Sequence, residues 1–96
     1  MSNPEVIAVK LTSPEAVVWE GEALSLTSKN SEGIFDLYPD HARFMTLLEG
    51  VDVSLQLPNG QEEVFTIDKA VLLFQDATAK IYLHTHIEPK KEPEEE

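Results

Sequence analysis

The chain contains no cysteine, and only 7 of its 96 residues are Lys or Arg. Without cysteine, neither a disulfide framework nor a thiolate site can form. The 7 basic residues stand against 18 Asp and Glu, which gives a net charge of −11. Proteins that bind nucleic acid carry basic stripes to neutralise phosphates, and anionic lipid surfaces attract basic segments. The sequence therefore predicts neither nucleic-acid binding nor direct lipid insertion.

Long apolar runs are also missing. No run approaches the roughly 20 apolar residues that span a bilayer, and the segment MSNPEVIAVK at the start lacks the regions of a signal peptide. We therefore expect a cytoplasmic protein. Because 42% of the 96 residues are hydrophobic, the chain can form one domain with one core.

Apolar and polar residues alternate along most of the chain, which is typical of strands with one buried face. The alternation is clearest at residues 51–57, whose apolar side chains we expect to face the core: Val51, Val53, Leu55 and Leu57. Other strands are predicted at residues 6–11, 16–19, 23–27, 63–67 and 80–87, with 70–74 as a buried run. Asn59-Gly60 predicts a hairpin turn in which both residues have positive φ. The predicted fold class is all-β, an antiparallel sandwich or flattened barrel.

The segment from 31 to 48, SEGIFDLYPDHARFMTLL, interrupts this alternation. Gly33 and Pro39 favour turns, and large apolar side chains lie on both sides of Pro39. We predict a loop that buries these side chains inside the domain or against a partner. Connections of this kind tend to carry the function of a small β domain. Tyr38 suits either the core of the domain or an interface with a partner, whereas Trp19 is predicted to belong to the core.

Motifs for chemistry are sparse. No glycine-rich phosphate loop is present, and nothing in the sequence groups an acid, a base and a nucleophile. His84-Thr85-His86 is the best metal candidate, but a third ligand at suitable spacing is missing. We expect these histidines to lie on the outer face of a strand beside Tyr82. The sequence therefore predicts no catalytic residue, no cofactor and no metal.

An ordered set of short motifs resembles a known family. The set comprises Ser13-Pro14-Glu15, Trp19-Glu20-Gly21-Glu22, Ser31-Glu32-Gly33, Leu37-Tyr38-Pro39-Asp40-His41-Ala42 and Phe44-Met45-Thr46. It is similar to the N-terminal β-sandwich domain of the epsilon subunit of F-type ATP synthase, called delta in mitochondria. The resemblance implies a sandwich of about ten short strands over residues 1–88. The Pro, Lys and Glu of residues 89–96 predict a disordered acidic tail.

The same resemblance implies a function. It suggests a non-catalytic rotor subunit of the central stalk, peripheral to the cytoplasmic face of the inner or plasma membrane. This subunit would bind gamma and contact the c-ring, so that ion flow is coupled to ATP synthesis. The residues implied on the c-ring side are Ile34, Phe35, Asp36, Leu37, Tyr38, Asp40 and His41.

The chain also departs from the family pattern. The composition after Ile87 does not suit the helical hairpin that carries ATP sensing and inhibition in the family, so a rotor subunit without that hairpin is expected. Asp36 and Asp40 replace glycines of the family, and Arg43 replaces a proline. These departures favour an alternative, a stand-alone protein-interaction module on the same scaffold and detached from ATP synthase.

Overall fold

The computed structural model describes residues 5–85, and the proposed acidic tail lies outside them. The described part folds into seven strands: β1 (Ile7–Thr12), β2 (Val17–Ala23), β3 (Ser25–Asn30), β4 (Gly33–Leu37), β5 (Phe44–Gln56), β6 (Glu62–Gln75) and β7 (Thr78–Leu83). They form one sheet in the order β2-β1-β7-β6-β5-β3-β4. The all-β prediction is confirmed.

Two details of the sheet differ from the prediction. All neighbouring strands are antiparallel except β1 and β7, which run parallel. The strands number seven instead of about ten, because β5 and β6 are long, at 13 and 14 residues. Each of them continues through both layers of the sandwich where shorter separate strands were expected.

A bend in the long β5–β6 hairpin divides the sheet into two layers. Leu48 and Val53 both face the core, although side chains five positions apart on a regular strand point to opposite faces. The change of face occurs at Gly50, where φ is +62°, and the pairing with β6 continues on both sides of it without a register shift. The first layer contains β2, β1, β7 and residues 69–75 and 44–49. The second contains residues 62–67 and 51–56 with β3 and β4.

The core lies between these layers. Its largest fully buried side chains come from all seven strands except β2: Phe74, Ile7, Leu11, Leu26, Leu37, Leu48, Leu55, Ile67, Leu72, Ile81, Val9 and Val53. The prediction for residues 51–57 is confirmed, since Val53 and Leu55 are buried and Val51 and Leu57 pack against the core. Trp19 also packs against the core, half-buried, with its ring edge-on to Phe65 at a centroid distance of 5.8 Å.

The predicted central loop is mostly strand. Gly33–Leu37 forms β4, β5 begins at Phe44, and only residues 38–43 connect them. The alternation persists through β4, with Phe35 and Leu37 turned inward and Ile34 and Asp36 turned outward. The prediction was wrong because Ile34 is an outward residue that is apolar, which hides the period of two.

The turn prediction also needs correction. At the β5–β6 turn only Gly60 has a positive φ, not Asn59. The backbone N–H of Gly60 donates to the carbonyl of Leu57 at 3.0 Å, so Pro58 occupies the second position of the turn, where its fixed φ is favourable. The two-residue turn with consecutive positive φ values lies instead between β6 and β7, at Asp76 (φ 54°) and Ala77 (φ 57°).

The Ala77→Gly variant is expected to be more stable than the natural chain by about 0.5–1 kcal/mol, because alanine is strained in the left-handed region and glycine is not. Thermal melts would show a rise of a few degrees, roughly 4–8 °C per kcal/mol. Ala8→Gly is the matched control, because Ala8 lies in the extended strand β1 and the same change there should lower stability. Equal effects at both positions would contradict the assigned turn.

Candidate partner-binding surfaces

Two apolar side chains of the predicted ring-side segment, residues 34–41, are largely exposed to solvent. Ile34 is 76% exposed on the outward side of β4, and Tyr38 is 54% exposed just after this strand. Asp36 also points outward, where its carboxylate accepts a 2.5 Å hydrogen bond from the hydroxyl of Thr27 on β3. The outward side of β4 therefore offers one apolar and one acidic group.

Two other residues of this segment are turned the opposite way. Leu37 is fully buried and pairs with Leu26. Phe35 is half-buried, and its ring lies 5.0 Å from that of Phe44. These two side chains anchor β4 to the core, so the surface of the segment excludes Leu37 and offers little of Phe35.

The remaining predicted residues lie in the connection after β4. The backbone N–H of His41 donates to the carbonyl of Tyr38 at 2.9 Å, which closes a tight turn. The His41 ring is edge-on to Phe44 and Phe74, with centroid distances of 5.7 and 5.9 Å. His41 thus covers one end of the core while remaining exposed, and Asp40 is exposed beside it.

A second surface, which the sequence analysis missed, lies on the outside of the first layer. We call it the apolar face; its members are Met45, Leu47, Val71, Leu73 and Tyr82. Met45 and Leu47 are 64% and 60% exposed, and Tyr82 is 46% exposed. Direct cross-strand pairs join them into one patch: Met45 with Leu73, Leu47 with Val71, and Val71 with Tyr82. Side chains paired in this way lie about 5 Å apart.

The sequence analysis did not predict the apolar face because β5 and β6 have apolar side chains on both of their sides in this region. Residues 70–74 were predicted to be completely buried, but only Ala70, Leu72 and Phe74 are, whereas Val71 and Leu73 are turned outward and half-exposed. A continuous apolar run is also expected of a strand covered on both faces. The run therefore contained a usable signal of a second covered surface.

The outside of the second layer is mainly polar along β5 and β6. Its outward residues on β5 and β6 include Asp52, Ser54, Gln56, Glu62 and Thr66, and the Ser54 hydroxyl donates to the Glu62 carboxylate. We call this the polar face. The outer surface of the second layer thus has isolated apolar side chains, such as Ile34, whereas the first layer has a contiguous apolar patch of the kind that a partner covers.

Neither a cluster of metal ligands nor a membrane-spanning helix is found among the described residues. Between residues 5 and 85, no three or more His, Asp or Glu side chains are grouped so that they could hold a metal ion. His84 is exposed, and the second histidine of that candidate site, His86, lies outside the described residues. In the same part of the chain there is no helix long and apolar enough to cross a bilayer.

Comparison with known proteins agrees with this arrangement. Residues 6–89 match the family described as "ATP synthase, Delta/Epsilon chain, beta-sandwich domain". The chain belongs to this family. The match begins just before β1 and extends past β7, so it includes the whole described sandwich.

Curated relatives in the family carry the name ATP synthase epsilon chain. The one from a Nitratiruptor species is 28% identical over 64 residues, which covers 67% of this chain and 50% of the relative. The one from Acinetobacter baylyi is 29% identical over 83 residues, which covers 86% and 56%. The chain thus spans about half the length of these relatives. Against the Chlorobium limicola protein, at 24% identity, the match covers 80% of this chain and 98% of the relative.

Solved structures share the fold. A chain in the cryo-EM structure of the Euglena gracilis mitochondrial ATP synthase, with OSCP, F1 and c-ring, has a TM-score of 0.77 at 15% identity, covering 86% of this chain and 53% of that one. A chain in the Tetrahymena thermophila mitochondrial ATP synthase, central stalk and c-ring, has a TM-score of 0.62 at 14% identity, covering 88% and 66%. At these identities the likeness establishes the fold of the epsilon-type sandwich.

Proposed function

We propose that this epsilon-type chain is a non-catalytic rotor component of an ATP synthase, which binds the gamma subunit through the apolar face and contacts the c-ring through the exposed residues of segment 34–41. It would couple ion flow to ATP synthesis by holding gamma and the ring together. This role would place it at the membrane surface as a peripheral subunit, without lipid insertion of its own.

The observation that carries this proposal is the apolar face. Three of its side chains, Met45, Leu47 and Tyr82, are about half or more exposed although they are large and apolar, and contiguous patches of this kind mark protein interfaces. The polar face is suited to water instead. Since the chain belongs to a family of ATP synthase subunits, the partner that we assign to the apolar face is the gamma subunit.

The proposed ring contact uses a different part of the surface. Ile34 and Tyr38 are the most exposed apolar side chains of segment 34–41, and neither belongs to the apolar face. A subunit that joins two partners needs two separate surfaces, and these residues would supply the second one. Relatives of the fold occur in structures described as central stalk and c-ring, which supports this choice of second partner.

A stepwise assembly experiment tests the proposal. The chain is mixed with gamma from the same organism, and the complex is then added to the detergent-solubilised c-ring; size-exclusion chromatography follows each step. We expect a complex with gamma first and a complex of all three afterwards. The double variant Ile34→Ala with Tyr38→Ala should keep gamma and hold the ring roughly tenfold or more weakly, since exposed interface anchors contribute on the order of 1–2 kcal/mol.

The control is Val17→Ala with Leu24→Ala, which shortens two exposed apolar side chains (48% and 41% exposed) on other parts of the surface. It should assemble like the natural chain. A chain that folds but binds no gamma would overturn the rotor assignment and favour the stand-alone interaction module. Normal ring binding by the Ile34 and Tyr38 double variant would show that the ring contact lies elsewhere.

A further inference from the structure

The sheet leaves four strand segments without a neighbouring strand on one side. They are β2, β4, residues 44–53 of β5, of which 44–49 belong to the first layer, and residues 62–69 of β6. The two long strands are open over opposite halves, because β3 pairs with β5 only at residues 54–56 and β7 pairs with β6 only at residues 70–75. Within residues 5–85, no strand covers these four edges.

Acidic side chains lie along three of the open edges and at one end of the fourth. Glu20 and Glu22 lie on β2, Asp36 on β4, and Glu62 and Glu63 on the open half of β6. Charges on an open edge oppose pairing with another chain, and natural proteins place them there for that reason. The fourth edge, residues 44–49, has a single charge at its end, Glu49, and its first five residues, Phe-Met-Thr-Leu-Leu, contain none.

The edge of residues 44–49 also borders the apolar face. Met45 and Leu47 belong to this edge and to the face at once, and both are more than half exposed. On its other side the edge borders a groove of about 540 Å³, formed where β3 and the bent β5 diverge. Its lining includes Asn30 and Thr46, whose side chains are hydrogen-bonded at 3.0 Å, and the charged Lys29 and Glu49. A strand beside residues 44–49 would therefore meet polar groups as well as apolar side chains.

We propose that an extended segment of the gamma subunit pairs with the open edge of residues 44–49 and adds a strand to the first layer. This inference rests on the proposed function and adds the way in which gamma is held. Backbone hydrogen bonds supply affinity in such strand addition, and alternate side chains supply specificity. The added segment would place apolar side chains beside Met45 and Leu47, and it would lack proline at the paired positions.

The chain's own residues 88–96, EPKKEPEEE, are a poor occupant of this edge. They contain two prolines, which break strand pairing, and no other apolar residue that could cover Met45 and Leu47. A second copy of the chain is the remaining alternative, and the experiment below separates it from gamma.

Residue-resolved amide hydrogen exchange by NMR tests the inference without a substitution. In the free chain, the backbone N–H groups of residues 44–49 that point away from β6 should exchange rapidly. In the complex with unlabelled gamma, their exchange should slow on the order of 100-fold, because they become hydrogen-bonded to a strand. The open edge at residues 62–67 serves as the internal control and should keep its exchange rates.

Each outcome bears on one assignment. If gamma binds and the outward amides of 44–49 still exchange rapidly, strand addition is wrong while the proposed function stands. If gamma does not bind, the proposed function fails and this inference falls with it. If the amides become protected without gamma as the concentration of the chain rises, the occupant is a second copy, and the assignment to gamma is overturned.

Discussion

A chain with Asp in place of Leu47 is expected to fold normally and to bind gamma about 30-fold or more weakly, which corresponds to roughly 2 kcal/mol. Leu47 lies on the apolar face, next to Val71. Lys69, which is diagonal to Leu47 on β6, is already opposite Glu49. The new carboxylate would therefore be removed from water on binding without a free opposite charge. Burying an unpaired charge is strongly unfavourable. Isothermal titration of gamma into the variant measures the loss.

The matched control is Ile34→Asp. Ile34 is even more exposed than Leu47, and it lies outside the apolar face, opposite Lys29 on the neighbouring strand. The same change of charge there should leave gamma affinity within about twofold, since rim and distant residues contribute little. Equal losses in both variants would indicate a general electrostatic effect, and the apolar face would then not be the gamma surface.

Removal of the Phe74 ring should destabilise the fold by about 3–5 kcal/mol, the usual loss for a buried aromatic side chain cut to alanine. Phe74 is fully buried, pairs with Phe44 and Ala79, and contacts the His41 ring. This loss is a large part of the total stability of a small domain, which is about 5–15 kcal/mol. The midpoint of thermal unfolding should fall by roughly 15–30 °C, since each kcal/mol lowers it by several degrees. The fluorescence of Trp19, the single tryptophan, follows the transition.

Met45→Ala gives the comparison for this loss. Met45 pairs with Leu73, the residue before Phe74 on β6. Its side chain points to the opposite side of the sheet from Phe74 and is 64% exposed. Its truncation should change stability by no more than about 0.5 kcal/mol. If the two variants melted alike, the faces of β5 and β6 would be assigned the wrong way round, because a shift by one residue exchanges buried and exposed side chains.

The sequence predicts the fold best where one side of a strand is polar. Val53 and Leu55 could be assigned to the core because Asp52 and Ser54 alternate with them, and the structure agrees. The prediction fails at β4, where both Ile34 and Phe35 are apolar, so the period of two is not visible. The bend at Gly50 is also beyond local patterns, since it depends on how the two layers close on each other.

The candidate surfaces show the same limit. The family resemblance directed attention to segment 34–41, and exposure supports Ile34 and Tyr38 as surface residues but not Leu37. The apolar face was not predicted because its members come from three strands that are distant in sequence, β5, β6 and β7. Only the pairings Leu47 with Val71 and Val71 with Tyr82 bring them together, and strand order cannot be derived from local alternation.

The parallel pair β1–β7 has a consequence for how the protein folds. Leu11 is paired with Ile81, so β1, although it lies between two strands, obtains its second neighbour only after nearly the whole sandwich has been synthesised. Until then the β1–β2 hairpin exposes the apolar side chains of β1. Pairing of β1 with β7 also closes a long loop, which slows folding. We therefore expect folding on a timescale of roughly milliseconds to seconds, with β1 exposed to misassociation until β7 docks.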